Sequence, residues 1–161
     1  PYAALYSAGL TGTVLTRRAQ LAALATDLDA EAHGQRGVAA ALAFAGGKIR
    51  NQANLLRYMG KYRKSADPAL YAEIDLCAKQ ILAHLDELEQ LAGATRVGDV
   101  RFELLGIEGR AAQRYWHAVA CILPEKYGWP GRKRRGARDP INSALNYGYG
   151  ILYSQVERAL V

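Results

Sequence analysis

A carboxylate stands where an apolar side chain belongs in the run Leu104-Leu105-Gly106-Ile107-Glu108-Gly109-Arg110-Ala111-Ala112. At about 100° per residue, Ala111, Ala112, Tyr115, Ala118, Val119 and Ile122 share one apolar helix arc, and Glu108 falls near its centre. Burying an unpaired charge is expensive, so Glu108 has to meet a cation, a metal or a proton. An oxygen donor of this kind suits a hard cation such as Mg2+, which takes only about one or two protein carboxylates beside water and substrate phosphates. Gly106 and Gly109 remove bulk on either side, as a helix does where another backbone or a ligand comes close. The plainer alternatives are an ion pair with an Arg such as Arg110 or Arg138, or a helix boundary that turns Glu108 outward.

Asn142, Asn146, Tyr149 and Tyr153 follow one another at steps of four, three and four. Their amides and hydroxyls can hydrogen-bond a carboxylate, a metal-bound water or a nucleotide. The same stripe also fits the edge of a core formed by Ile141, Leu145, Leu152 and Val156. Gly148 and Gly150 point to close approach by another segment. Two basic groups complete the polar inventory. Arg50, Asn54, Arg57, Lys61 and Lys64 share a narrow helix arc about 120° from the apolar stripe, and Arg132, Lys133, Arg134, Arg135 and Arg138 put five bases into seven residues. Both suit phosphate contacts, which hold nucleic acid without reading its sequence. The alternative for the ridge is a solvated face, neutralised by the acidic helix that follows. His33, His84 and His117 share no motif and read as capping or packing residues. Cys77 and Cys121 sit at apolar helical positions with no CxxC and no His at ligand spacing. They read as buried free thiols rather than a zinc site or a disulfide, in a reducing, cytosolic compartment.

The elements that must position these residues are helical. Ala and Leu supply 50 of the 161 residues against 14 from Val and Ile, and unbranched side chains favour helix over sheet. Residues 1–16 read as a connecting segment. Leu21, Leu24 and Leu28 mark a short helix from Arg17 to Ala32, closed by Gly34. A second helix runs from Val38 to Lys64 on a stripe of Leu42, Ala45, Ile49, Leu56 and Met59, with Gly46-Gly47 marking a kink or a close helix contact. Asp67-Pro68 caps and opens a third helix to Gly93, whose core face is Leu70, Ile74, Cys77, Ile81, Leu85 and Leu88. Asp99 caps a fourth helix reaching Leu123. Residues 124–138 form a Pro- and Gly-rich basic loop, and Asp139-Pro140 opens a last helix through Leu160. The expected architecture is an all-α bundle of about five helices in a single domain over residues 1–161. No stretch approaches the ~20 apolar residues of a membrane span. The chain starts at Pro1 without an initiator Met and stops at Val161 inside a helical pattern, which reads as a piece of a larger protein.

The formal net charge of +6 is sorted into blocks. Seven bases and no acid lie between Glu31 and Asp67, nine acids against three bases from Asp67 to Gly109, and nine bases against three acids from Arg110 to Arg158.

The run LLGIEGRAAQRYW at 104–116, followed by RDPINSALNYGYGILYSQVERALV at 138–161, closely resembles the CRISPR-associated integrase family often written "Cas one". VLTRRAQ at 14–20 and GGKIRNQANLLRY at 46–58 resemble the start of that family's helical domain. The resemblance implies a metal-dependent DNA endonuclease and integrase that inserts short DNA segments into a CRISPR array, a DNA 3′-hydroxyl attacking a repeat phosphodiester. It also implies Mg2+ or Mn2+ as cofactor, DNA as partner, a homodimer, a small adaptor (the second CRISPR-associated protein) and the cytoplasm of a prokaryote. Glu108 matches the family's metal-ligating Glu by its GIEGRAA context, and Asn142 and Tyr153 match polar residues lining the site. The family's other two ligands, a His and an Asp, lie after the helix that here ends at Val161, and its N-terminal β domain precedes Pro1. The expectation is therefore a partial chain, inactive alone. Two other readings stand beside the enzyme: a non-catalytic nucleic-acid-binding module and a helical dimerisation module.

Overall fold

The computed structural model describes residues 30–160, with side chains over residues 34–158. The connecting segment at 1–16, nearly all of the helix expected from Arg17, and the side chain of His33 lie outside the described residues. Four α-helices follow one another: α1 (Ala30–Gly60), α2 (Pro68–Gln90), α3 (Val97–Ile122) and α4 (Pro140–Leu160). Single 3-10 turns sit at Leu91–Gly93 and Glu125–Tyr127. The described part is all-α, as the Ala- and Leu-rich composition predicts. None of its helices is long and apolar enough to cross a membrane.

α1, α2 and α3 pack pairwise against one another. Their apolar stripes meet in one core: Ala45, Ile49, Ala53 and Leu56 from α1, Ile74, Cys77, Ala78, Ile81 and Leu88 from α2, and Val100, Ile107, Ala111, Ala118 and Val119 from α3. The expected stripes of the second and third helices are these same faces, with Leu42, Leu70 and Leu85 partly buried at their edges. Burial, reinforced by the neighbouring Glu73, pushes the Cys77 thiol up to about 11. Cys121, expected to be buried, is exposed, because it lies past the edge of the face formed by Ala118 and Val119.

Several boundaries differ from expectation, each for a tertiary reason. Gly34 does not close a helix; α1 runs straight through it. A Cβ there would lie 2.1 Å from the Thr95 carbonyl oxygen, so glycine admits the α2–α3 connection against the start of α1. Gly46 is likewise a contact point and not a kink, facing Leu85 and Leu88 of α2. α1 ends at Gly60, four residues before Lys64. The Arg63 guanidinium turns back to donate to the Met59 carbonyl at 2.6 Å, filling an acceptor that the helix end leaves open. Asp67 caps α2 as expected, accepting from the Leu70 N–H at 3.0 Å. Asp99 does not cap α3; Arg96 holds that position and Asp99 sits in the first turn.

α4 takes no part in the close helix pairing. Leu152 and Val156, expected in the core, are 54% and 48% exposed. Its partly buried apolar residues fall in the first half, at Ile141 and Leu145, near Tyr115 and Trp116 of α3. Gly109, Gly148 and Gly150 have no described neighbour within 4 Å of an added Cβ, so no described segment approaches them closely.

Candidate functional site

A cleft of about 450 Å³ opens where α1, α3, the basic loop and α4 meet. α1 contributes Lys48 and Gln52, one turn apart on the same face; α3 contributes Ala112 and Trp116; the loop contributes Arg132 and Arg134; α4 contributes Asn146, Tyr149, Gly150 and Tyr153. Glu108, one turn before Ala112, does not line it, but its Oε2 meets Nζ of the lining Lys48 at 3.5 Å. The carboxylate is 25% exposed. It does find a cation, but the partner is a lysine 60 positions earlier and neither Arg110 nor Arg138. Arg110 instead pairs with Glu87 of α2.

Asn142 builds the cleft without opening on it. Its side chain is 0% exposed. Nδ2 donates to the Gly131 carbonyl at 2.8 Å and to Asp139 Oδ2 at 3.0 Å. Oδ1 accepts from the Lys133 backbone N–H at 2.8 Å and from Arg132 Nη1 at 3.3 Å. Two donors and two acceptors are satisfied, which is the full capacity of an amide. Asp139 caps α4 from the other side, its Oδ1 accepting from the Asn142 N–H at 2.8 Å. These two bonds from Asn142 hold the Asp139 carboxyl below the usual carboxylate range. Asn146 Nδ2 donates to the Arg134 carbonyl at 3.2 Å, adding a second tie one turn along.

Held this way, the loop inserts Arg132 between two rings. Its guanidinium carbon lies 5.8 Å from the Trp116 centroid and 5.3 Å from that of Tyr149. Trp116 is itself set by Tyr115, edge-on at 4.7 Å, and by Trp129 at 5.9 Å. A guanidinium over aromatic faces keeps its charge and its fork of donors. Gln52 Oε1 is buried in the cleft wall with no partner among the described residues.

Of the residues expected to act, the fold brings Asn146, Tyr149, Tyr153, Arg132 and Arg134 together in the cleft and ties Glu108 to it through Lys48. It leaves others apart. Arg50 and Arg57 stand about half a turn around α1 from Lys48, so the ridge faces away from the cleft. Lys61 and Lys64 lie beyond the end of α1, over the rings of Tyr62 and Tyr71. Lys133, Arg135 and Arg138 are exposed and do not line the cleft. Lys48, Gln52 and Trp116 carry no signal of their own in the sequence, except that the first two are spaced i, i+4 within GGKIRNQ.

The profile of the family described as CRISPR associated protein Cas1 matches residues 1–161. The chain belongs to the Cas1 family. It is 36% identical to a CRISPR-associated endonuclease Cas1 of Archaeoglobus fulgidus over 94% of this chain and 43% of the relative. It is 38% identical to one of Pyrobaculum aerophilum over 100% of this chain and 45% of the relative, and 31% identical to one of Korarchaeum cryptofilum over 97% and 44%. The chain thus spans under half the length of these Cas1 relatives.

A divalent cation at Glu108 would need further oxygen or imidazole donors. The group of three or more His, Cys, Asp or Glu donors found among the described residues does not include Glu108. One carboxylate already engaged by an ammonium is not a cation site, so these residues do not hold the metal by themselves.

Proposed function

We propose that this chain is the DNA-holding helical part of a CRISPR-adaptation endonuclease and integrase, and that Glu108 is the carboxylate it brings to the reaction centre. The observation that supports this reading is the ion pair of Glu108 with Lys48, which lines a cleft shared with Arg132, Arg134, Trp116 and Tyr149. Lys48, Arg132 and Arg134 suit phosphate oxygens, and Arg132, set over two rings with Nη1 bonded to the Lys133 carbonyl and Asn142, has no carboxylate partner among the described residues. The orphaned Gln52 Oε1 suits a nucleotide N–H or hydroxyl. The Lys48–Glu108 pair is partly exposed and worth only about 0–1 kcal/mol, so a phosphate can draw Lys48 away. The remaining donors for Mg2+ or Mn2+ would come from elsewhere in the longer protein, as the family resemblance implies. That resemblance also implies a second copy, a small adaptor and a cytoplasmic site of action; Ile151, Leu152 and Val156, which α4 leaves exposed, offer surface for such contacts.

The test is Glu108→Ala in the full-length protein. DNA cleavage and insertion should fall by on the order of 10²-fold or more, since even an indirect metal partner costs about 10–100-fold, while DNA affinity at fixed salt stays unchanged. Wild-type insertion by the variant would sink the reading. It would leave the binding-only module, which the Lys48–Glu108 pair favours.

A further inference from the structure

We propose that Glu73, Cys77 and His117, with Cys121 closing the fourth position, form a binding site for Zn2+ that staples α2 to α3. The two helices present matching pairs: Glu73 and Cys77 are spaced i, i+4 on α2, and His117 and Cys121 are spaced i, i+4 on α3, so each pair shares one face and, against the expectation from sequence, a His does stand at ligand spacing from Cys121. Glu73 Oε1 lies 3.0 Å from His117 Nε2 and 3.6 Å from Cys77 Sγ. Cys121 Sγ lies 3.8 Å from His117 Nε2. The oxygen, nitrogen and sulfur of Glu73, His117 and Cys77 all fall within 4.8 Å of one another.

These separations fit one ion. Tetrahedral zinc, with bonds of about 2.0 Å to N and O and about 2.3 Å to S, sets its donors about 3.3 Å apart for N and O and about 3.5 Å apart where one is sulfur. Glu73, His117 and Cys77 approach that frame before any ion draws them in, whereas Cys121 Sγ, close to His117 Nε2, stands outside the three-donor group and turns inward to take the fourth position. A thiol, an imidazole and a carboxylate together select a borderline-soft ion and disfavour Mg2+ and Ca2+, which take oxygen. Cys77 forms the buried floor and His117, 53% exposed, the mouth, which leaves an entry path. On binding, the Cys77 S–H, which otherwise donates to Glu73, becomes a thiolate ligand and its proton leaves to solvent. His117 follows Glu108 by nine residues, about half a turn around α3 and ~13 Å along it. The site therefore stands on the far face of that helix from the cleft and does not depend on the function proposed there.

The experiment is a titration of the reduced, metal-free full-length protein with Co2+ alone, read by absorbance, followed by Zn2+ competition. The expected result is a near-ultraviolet thiolate-to-cobalt band with visible tetrahedral bands, and a rise in melting temperature with Zn2+, which binds only the folded state. His117→Ala and Cys121→Ser, both at exposed positions, should each weaken Co2+ binding by more than about tenfold; Glu108→Ala should leave the band intact. A wild-type protein without the thiolate band, or a band and affinity that neither His117→Ala nor Cys121→Ser alters, would overturn the site.

Discussion

The α1–α2–α3 bundle closes by apolar burial, with Ile49, Ala53, Leu56, Ala78, Ile81 and Ala111 fully inaccessible, whereas residues 123–160 add to a few apolar contacts, at Leu123 and Trp129, a network of polar bonds around Asn142 and the contact of Arg132 with two rings. Apolar burial is non-directional and spreads its contribution over many contacts. An amide hub is directional: every bond of Asn142 fixes a different backbone or side-chain atom of the loop, and losing the amide strands those atoms together. The cleft forms on the seam between the two regimes. Its α1 and α3 walls are set by burial, and its loop and α4 walls are held mainly by the bonds of Asn142, with Asn146 as a second tie.

Truncation in the bundle should show the largest effect. Ile81→Ala should cost about 2–5 kcal/mol in a denaturant melt, and hydrogen exchange should accelerate throughout the bundle. A cost well below that range would mean that the bundle is not the stability centre. Asn142→Ala comes next, at about 1–3 kcal/mol, because the Lys133 N–H and the Gly131 carbonyl lose their partner. Exchange should then rise across the loop and the start of α4 while α1 to α3 keep wild-type protection. If it rose equally in the bundle, the two regions would be one cooperative unit.

The smallest effect is a pH step. Asp139 is held below the usual carboxylate range, first by the Asn142 backbone N–H and then by its side chain. A carboxyl lowered in the folded state stabilises that state when ionised. The contribution is complete above the ordinary value of about 4 and is lost as the pH falls through the lowered one. Acidification should therefore loosen the loop–α4 seat. Fluorescence of Trp116 and Trp129, which lie on that seat, should report a step that Asp139→Asn abolishes.

Much of the bundle was legible because its information is local. Ile74, Cys77, Ile81 and Leu88 recur at helical spacing, and Asp67-Pro68 and Asp139-Pro140 carry their caps beside their helices. Gly34 misleads for the opposite reason: the Thr95 carbonyl that requires a glycine comes from a segment some 60 positions away. Leu152 and Val156 follow the apolar period of α4, yet period alone does not provide a surface to bury them against. The site divides in the same manner. Glu108, Asn146, Tyr149, Tyr153 and the basic loop stand out by residue type, but the lysine facing Glu108, the rings around Arg132 and the inward turn of Asn142 have no local signature.

The sequence by itself determined the helical class, the buried faces of α1 and α2, the caps at Asp67 and Asp139, the sorting of charge and, through its long late motifs, the family. These follow from spacing along one chain segment, where side chains three or four apart share a face. Only the tertiary structure decided that Lys48 answers Glu108, that Asn142 braces rather than lines the cleft, and that His117 meets Glu73 beside Cys77. Each of those depends on two helices approaching in one register, and registers are set by the whole core at once.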